Sequence, residues 1–171
     1  MPLEFFFGDE RCVPPDNKDS NYKMVMDTLF TDGLPEHFLL HRIKGELKAY
    51  EKAAESYSEL IPESIDLLLL SLGEDGHIAS IFPNDDDAFK EPLKMRPVKS
   101  PKPPDRRITI TPLVIQSARQ VIVFVKGANK GKILAEMLNE PENIVKMPAR
   151  ILREATWLLD REAFGALKDF Y

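Results

Sequence analysis

Apolar and polar residues change their spacing several times along this chain, and the changes mark out its elements. Leu3–Phe7 is a short apolar, aromatic run that stops at Gly8-Asp9-Glu10-Arg11, the pattern of a buried strand followed by a loop. Pro14 and Pro15, with polar neighbours, argue against regular structure over Cys12–Asp19. Asp19 or Ser20 can then cap a helix that carries Tyr22, Val25, Met26, Leu29 and Phe30 at helical spacing. A second helix fits Leu47–Leu60 and ends before Pro62. Ile65–Leu72 is apolar without alternation, which predicts a central strand covered on both faces, as in a parallel sheet. It stops at Gly73-Glu74-Asp75-Gly76-His77, with a helix expected to open at His77.

Between Pro83 and Pro104 lie six of the fourteen prolines, so an irregular connection is expected there, or a lid over a site. Arg107–Thr111 alternates as a strand, and Pro112 opens a short helix at its first turn. Gln120–Val125 reads as another buried strand, closed by Lys126-Gly127 and followed by a helix to about Leu138. Pro148-Ala149-Arg150 begins one more helical turn, and Thr156–Leu159 a final strand before a C-terminal helix.

Strands alternating with helices predict an α/β protein with a mostly parallel sheet. There is no internal repeat, low-complexity tract or linker, so residues 1–171 are expected to form a single domain. In such sheets ligands sit beyond the carboxyl ends of the strands. Three polar clusters fall there: Gly8–Arg11, Gly73–His77 and Lys126–Lys130. All three are expected to line one crevice.

Composition narrows the function classes. A chain of 171 residues with 43% hydrophobic and 30% charged residues is ordinary for a globular protein with a core of its own. A net charge of −5 argues against a broad nucleic-acid footprint. An anionic substrate would need a local basic pocket, since the global field repels it. Cys12 is the one cysteine, so no internal disulfide can form, which suits a cytoplasmic protein. No signal peptide is expected from the N-terminal residues. The longest apolar run, Ile65–Leu72, is too short to cross a bilayer, and no membrane partner is expected.

Each cluster has a plain and a chemical reading. In Gly73–His77, two glycines allow a sharp turn and close approach to a ligand. His77 can accept a proton at neutral pH, and Asp75 is near enough to hold the ring's other nitrogen. Amides near Gly76 and at a helix start could meet an oxyanion. Spacing alone favours the plain reading, an acidic turn with an exposed histidine, because such turns are common. In Gly8–Arg11, Arg11 can clamp a phosphate or carboxylate and Asp9 can hold a sugar hydroxyl. By itself that cluster reads better as a solvated charged loop. Lys126-Gly127-Ala128-Asn129-Lys130-Gly131-Lys132 fails as a phosphate loop, since three residues separate its glycines where four are required and no Ser or Thr follows Lys132. It stands evenly between a modest anion site using Lys130 and a solubilising surface. His37, His41 and His77 show no zinc-ligand spacing, so no metal is expected.

In combination and in order the motifs are more specific. Phe6-Phe7-Gly8-Asp9-Glu10-Arg11-Cys12-Val13-Pro14-Pro15 with Asp19-Ser20-Asn21-Tyr22 resembles the first signature of 6-phosphogluconolactonases. Leu72-Gly73-Glu74-Asp75-Gly76-His77-Ile78-Ala79-Ser80-Ile81-Phe82-Pro83 resembles their second. Residues 103–111, 126–130 and 157–160 follow in the family's order. The resemblance implies a Rossmann-like, three-layer fold and hydrolysis of 6-phosphoglucono-δ-lactone to 6-phosphogluconate in the pentose phosphate pathway, with no metal or organic cofactor. It implies His77 as the base that activates water, supported by Asp75, with Arg11, Asp9, Gly76 and Lys130 on the substrate. Family members carry an earlier segment with a Ser-Gly-Gly-x-Thr-Pro type loop for the phosphate. No such loop occurs here, so the family's N-terminal strands are expected to be missing and activity to be weak or absent. A bare sheet edge would then favour self-association, and a monomer or weak homodimer is expected.

Two other readings compete. Glucosamine-6-phosphate deaminases share the Asp-Gly-His loop, but carry a glutamate five residues beyond the histidine, where this chain has Phe82, and an aromatic residue where it has Arg11. A sugar-phosphate sensor would use the same crevice without catalysis.

Overall fold

The computed structural model describes residues 3–139 and 143–168. In chain order they form β1 (Leu3–Phe6), β2 (Asp9–Arg11), α1 (Asn21–Thr28), β3 (Phe38–His41), α2 (Tyr50–Leu60), β4 (Leu67–Ser71), β5 (Met95–Lys99), β6 (Arg106–Ile110), α3 (Pro112–Ser117), β7 (Gln120–Val125), α4 (Ala128–Asn139), β8 (Thr156–Leu159) and α5 (Arg161–Lys168). Short 3-10 turns lie at Asp86–Phe89 and Pro148–Leu152. The chain divides into two compact units, Met1–Pro62 with Leu93–Ile110, and Glu63–Pro92 with Thr111–Tyr171. The expected α/β class holds, with parallel strands and flanking helices. Among the described residues no helix is long and apolar enough to cross a membrane.

In the first unit β1 pairs in parallel with β3, and β2, β6 and β5 form an antiparallel sheet in that order. Aromatic rings hold β1 to its neighbours: Phe5 lies 5.7 Å from Phe30 and 5.4 Å from Phe38, and Phe6 stacks on His41 at 4.5 Å. Tyr57 of α2 is 3% exposed; its hydroxyl accepts from Phe7 N and donates to His41 O, both at 2.8 Å. Burial pushes this phenol up from its ordinary value, so it stays a neutral donor linking the ends of β1 and β3. Ser20 caps α1 as expected, accepting from Lys23 N at 3.2 Å.

In the second unit β4, β7 and β8 form a fully parallel sheet in that order. One face, with Leu68, Leu70, Val123 and Val125, is buried, each such side chain contributing about 1.5–3 kcal/mol. Helices α4 and α5 pack where a Cβ on Gly131 would strike the backbone of Ala163, so a larger residue would force them apart.

Five expectations need correction. Ile65–Leu72 is not covered on both faces: β4 ends its sheet, and Leu67 and Leu69 are 47% and 54% exposed. No helix opens at His77; residues 72–81 are held by bridges between Leu72 and Ile78 and between Ile78 and Ile81. Asp9–Arg11, expected as loop, is the strand β2. The proline-rich stretch contains β5, where Pro97 is tolerated because β5 is at the sheet's edge and needs no donor on its open side. The second helix also begins at Tyr50 rather than Leu47, since Leu47 N closes a turn onto Lys44 O at 3.2 Å.

Candidate functional site

The second unit carries the loop that follows β4. Gly73 N donates to His77 O at 2.9 Å and Gly76 N to Gly73 O at 3.2 Å, a closed turn. Gly76 has φ +79, and a Cβ there would come 2.7 Å from Met147 Cγ, so both conformation and space require glycine. Its carbonyl accepts from Ala149 N at 3.0 Å, which fixes the tip of the loop to the 3-10 turn at Pro148–Leu152. A Cβ on Gly73 would fall on the imidazole of His77, so the ring lies against bare backbone. Its other neighbour is Phe82, 5.1 Å between centroids. Ile78, Ile81 and Phe82 are nearly fully buried and anchor the loop from beyond.

That packing leaves the histidine one free nitrogen. Nδ1 of His77 is hydrogen-bonded to Oδ1 of Asp75, which also accepts from His77 N at 3.3 Å. A carboxylate acceptor at Nδ1 assigns the neutral ring's hydrogen to that atom, and Nε2 is left with its lone pair. Nε2 has no hydrogen-bond partner among the described residues, and the side chain keeps 20% of its exposure. The ring therefore presents Nε2 as its open hydrogen-bond acceptor.

Lys130, in the first turn of α4, donates from Nζ to Ser71 Oγ at 3.2 Å. Ser71 is the last residue of β4, so the ammonium and the loop bearing His77 are both held at the carboxyl end of that strand. The turn before α4 is filled by a carboxylate of the chain itself. Gly127 N donates to both oxygens of Asp160 at 3.1 Å, and Ala163 N to Oδ1 at 2.8 Å. The N–H bonds from Ala163 and then Gly127 hold Asp160 below the usual carboxylate range. The expected anion site at this helix start thus has Asp160 at its first amide.

The first unit carries Asp9 and Arg11 on β2. Between them Glu10 turns inward and is 3% exposed. Its Oε1 accepts from Arg11 N at 2.8 Å and Asn21 N at 2.7 Å, and its Oε2 from Tyr22 N at 2.8 Å and Ser20 Oγ at 3.0 Å. Asp9 is tied to the same helix start: Asn21 Nδ2 donates to its backbone O at 2.9 Å and to its Oδ1 at 3.1 Å. Arg11 Nη1 donates to Asp19 O at 2.6 Å, while its Nε is buried without a partner. Arg107 lies opposite Arg11 across the β2–β6 pair. Burial holds the Arg107 guanidinium below its ordinary value, Arg11's like charge adds to this, and Asp9 opposes it.

The structure therefore brings His77, Asp75, Gly76 and Lys130 to the carboxyl end of the β4–β7 pair in one unit, and Asp9 with Arg11 to β2 in the other. Sequence reasoning assigned no structural role to Glu10 or Asp160. Asp160 had a local signal, an aspartate immediately before a helical segment. Glu10 had none, because the helix start it satisfies is ten residues away.

Against known proteins, residues 2–159 match the family model described as glucosamine-6-phosphate isomerases/6-phosphogluconolactonase. This chain belongs to that family. It is 38% identical to 6-phosphogluconolactonase 4 of Saccharomyces cerevisiae, across 95% of this chain and 70% of the relative. It is 34% identical to 6-phosphogluconolactonase of Haemophilus influenzae, across 96% and 74%. Among solved structures, 6-phosphogluconolactonase from Trypanosoma cruzi superposes with a TM-score of 0.77 at 29% identity, covering 95% of this chain and 72% of that one. A monomeric glucosamine-6-phosphate deaminase also superposes, at 0.76, but at 19% identity that likeness concerns the family fold alone.

Proposed function

We propose that this protein hydrolyses 6-phosphoglucono-δ-lactone to 6-phosphogluconate, with His77 as general base. The observation that carries the reading is the Asp75–His77 pair with Nε2 left open, in a chain whose relatives are named 6-phosphogluconolactonase. Water attacks the lactone carbonyl carbon while Nε2 takes one of its protons. The carbonyl becomes a tetrahedral oxyanion, which needs a donor. When it collapses, the C–O bond to the ring oxygen breaks, and the imidazolium returns its proton to that oxygen as the hydroxyl of the open chain. The new carboxyl group then ionises in solvent. Asp75 holds the ring's orientation and stabilises its charged form without itself being protonated. Gly76, whose N–H donates to Gly73 and whose carbonyl accepts from Ala149, acts by holding the turn that presents His77 rather than by donating to the substrate. Arg11, Asp9 and Lys130 are each read as substrate groups, Lys130 for its phosphate and Asp9 for a hydroxyl.

The test is lactone hydrolysis corrected for spontaneous ring opening. His77→Ala is expected to lower kcat by about 10²–10⁴-fold while 6-phosphogluconate still binds. Unchanged turnover would remove His77 from the mechanism. Wild-type protein that binds the product but never exceeds the spontaneous rate would favour a sensor instead.

A further inference from the structure

A concavity lies wholly within the first unit, and none of its lining residues is assigned to hydrolysis. Its volume is about 380 Å³, and it runs between the segment after β3 and one face of α2. Leu47, Ala53 and Leu60 supply an apolar floor, and Lys44, Lys48 and Lys52 line its sides. Leu47 and Leu60 are 44% and 53% exposed and place apolar surface at the opening of this concavity. None of the three lysine ammonium groups has a hydrogen bond or ion pair among the described residues. Arg42 also lines the site, but its fork is already held by Glu46 at 2.7 and 2.9 Å.

The distribution of charge on α2 is one-sided. Ala49, Lys52, Ala53, Ser56, Tyr57 and Leu60 face the concavity, at helical spacing. Glu51, Glu55 and Glu59, also at helical spacing, are absent from its lining. In a chain of net charge −5, this leaves a local positive rim around carbon. The volume is within the range of about 300–1,000 Å³ usual for small-molecule sites. A sugar phosphate does not suit it, because a polyol would give up water against the leucines without regaining hydrogen bonds.

We infer that this concavity binds a small organic anion with an apolar body, such as an aromatic or medium-chain carboxylate, sulfonate or organophosphate. The body lies on Leu47, Ala53 and Leu60 while the head group meets Lys44, Lys48 and Lys52. The site is independent of the proposed lactone chemistry and does not depend on it.

Fluorescence titration of the full chain with 8-anilinonaphthalene-1-sulfonate tests this, with N-phenyl-1-naphthylamine as the same body without the charge. Lys48→Glu with Lys52→Glu is expected to weaken the sulfonate about tenfold and to leave the uncharged probe within about twofold. Raising salt tenfold should weaken the sulfonate in wild type but hardly in the double variant. Ser56→Phe, at an exposed lining position, should block both probes. The exposed sheet face of the second unit is the competing site, so Leu69→Lys must leave the salt-sensitive binding intact. The inference is overturned if saturable sulfonate binding is absent, if it survives both charge reversal and Ser56→Phe, or if Leu69→Lys abolishes it. Circular dichroism melts confirm that each variant is folded.

Discussion

Glu10 and Asp75 are both carboxylates two residues after a glycine, one within β2 and the other in the loop beyond β4, and they stand in opposite situations. Glu10 is buried and has four donors, two for each oxygen. Its charge is fully used in closing the start of α1 against β2. Asp75 is 34% exposed, and its donors include the ring of His77, whose far nitrogen stays open. The first carboxylate holds the fold, whereas the second orients the ring proposed as the base. Similar composition therefore says little about role; what distinguishes them is whether the hydrogen bonds end at the backbone or at a titratable group with one valence left.

The largest effect that would break this comparison is on stability. Glu10→Ala leaves Arg11 N, Asn21 N, Tyr22 N and Ser20 Oγ without their acceptor in a buried place. The expected loss is about 3–5 kcal/mol, read as a lower urea midpoint. Glu10→Gln should lose less, because one oxygen can still accept. A variant Glu10→Ala as stable as wild type would mean that water reaches those donors and the carboxylate is not structural.

Asp75→Asn should do the reverse. The amide keeps the volume but not the charge that favours the imidazolium, so kcat should fall about 10–100-fold with KM little changed. Stability should stay within about 1 kcal/mol of wild type, since the side chain is partly solvated. If Asp75→Asn instead unfolds the protein and turnover per folded molecule is unchanged, Asp75 belongs with Glu10 as a structural carboxylate.

The sequence made part of this contrast legible. Asp75 two residues from His77 is close enough for pairing, and Ser20 before an amphipathic segment marks a cap, because both signals are local. Glu10 escaped because its partners lie at residues 20–22, and only the folded chain brings them to it. The strand β2 escaped for a related reason: Asp9-Glu10-Arg11 has no apolar alternation, and its pairing partner is Arg107–Thr109, nearly a hundred residues on. The run Ile65–Leu72 was read correctly as a strand, but apolarity on both faces does not say whether anything covers both. The helix expected at His77 failed because the positive φ of Gly76 and the Leu72–Ile78 bridge turn the chain back. Neither feature leaves a periodic trace.

The smallest effect probes the fold-holding region through Cys12, next to Arg11. Burial pushes this thiol up from 9.0 to about 11; Arg106 opposes the shift, and Glu10 and Asp105 add to it. At pH 8 it should therefore react with iodoacetamide roughly a hundredfold more slowly than a free cysteine, and the rate should climb toward pH 11. The linkage has a definite sign. Because the native state binds this proton more tightly than the unfolded chain, its contribution to stability is complete below pH 9 and is lost as pH rises from there toward about 11. Glu10→Ala should accelerate the alkylation in two ways, by loosening the segment and by removing a charge that holds the thiol protonated. If removing that charge were the whole effect, the variant's rate would rise with an unchanged slope against pH. If the segment opens, alkylation approaches the rate of the urea-unfolded chain. Fast alkylation of the wild-type protein at pH 8 would show instead that the Glu10 network does not keep this end of β2 closed.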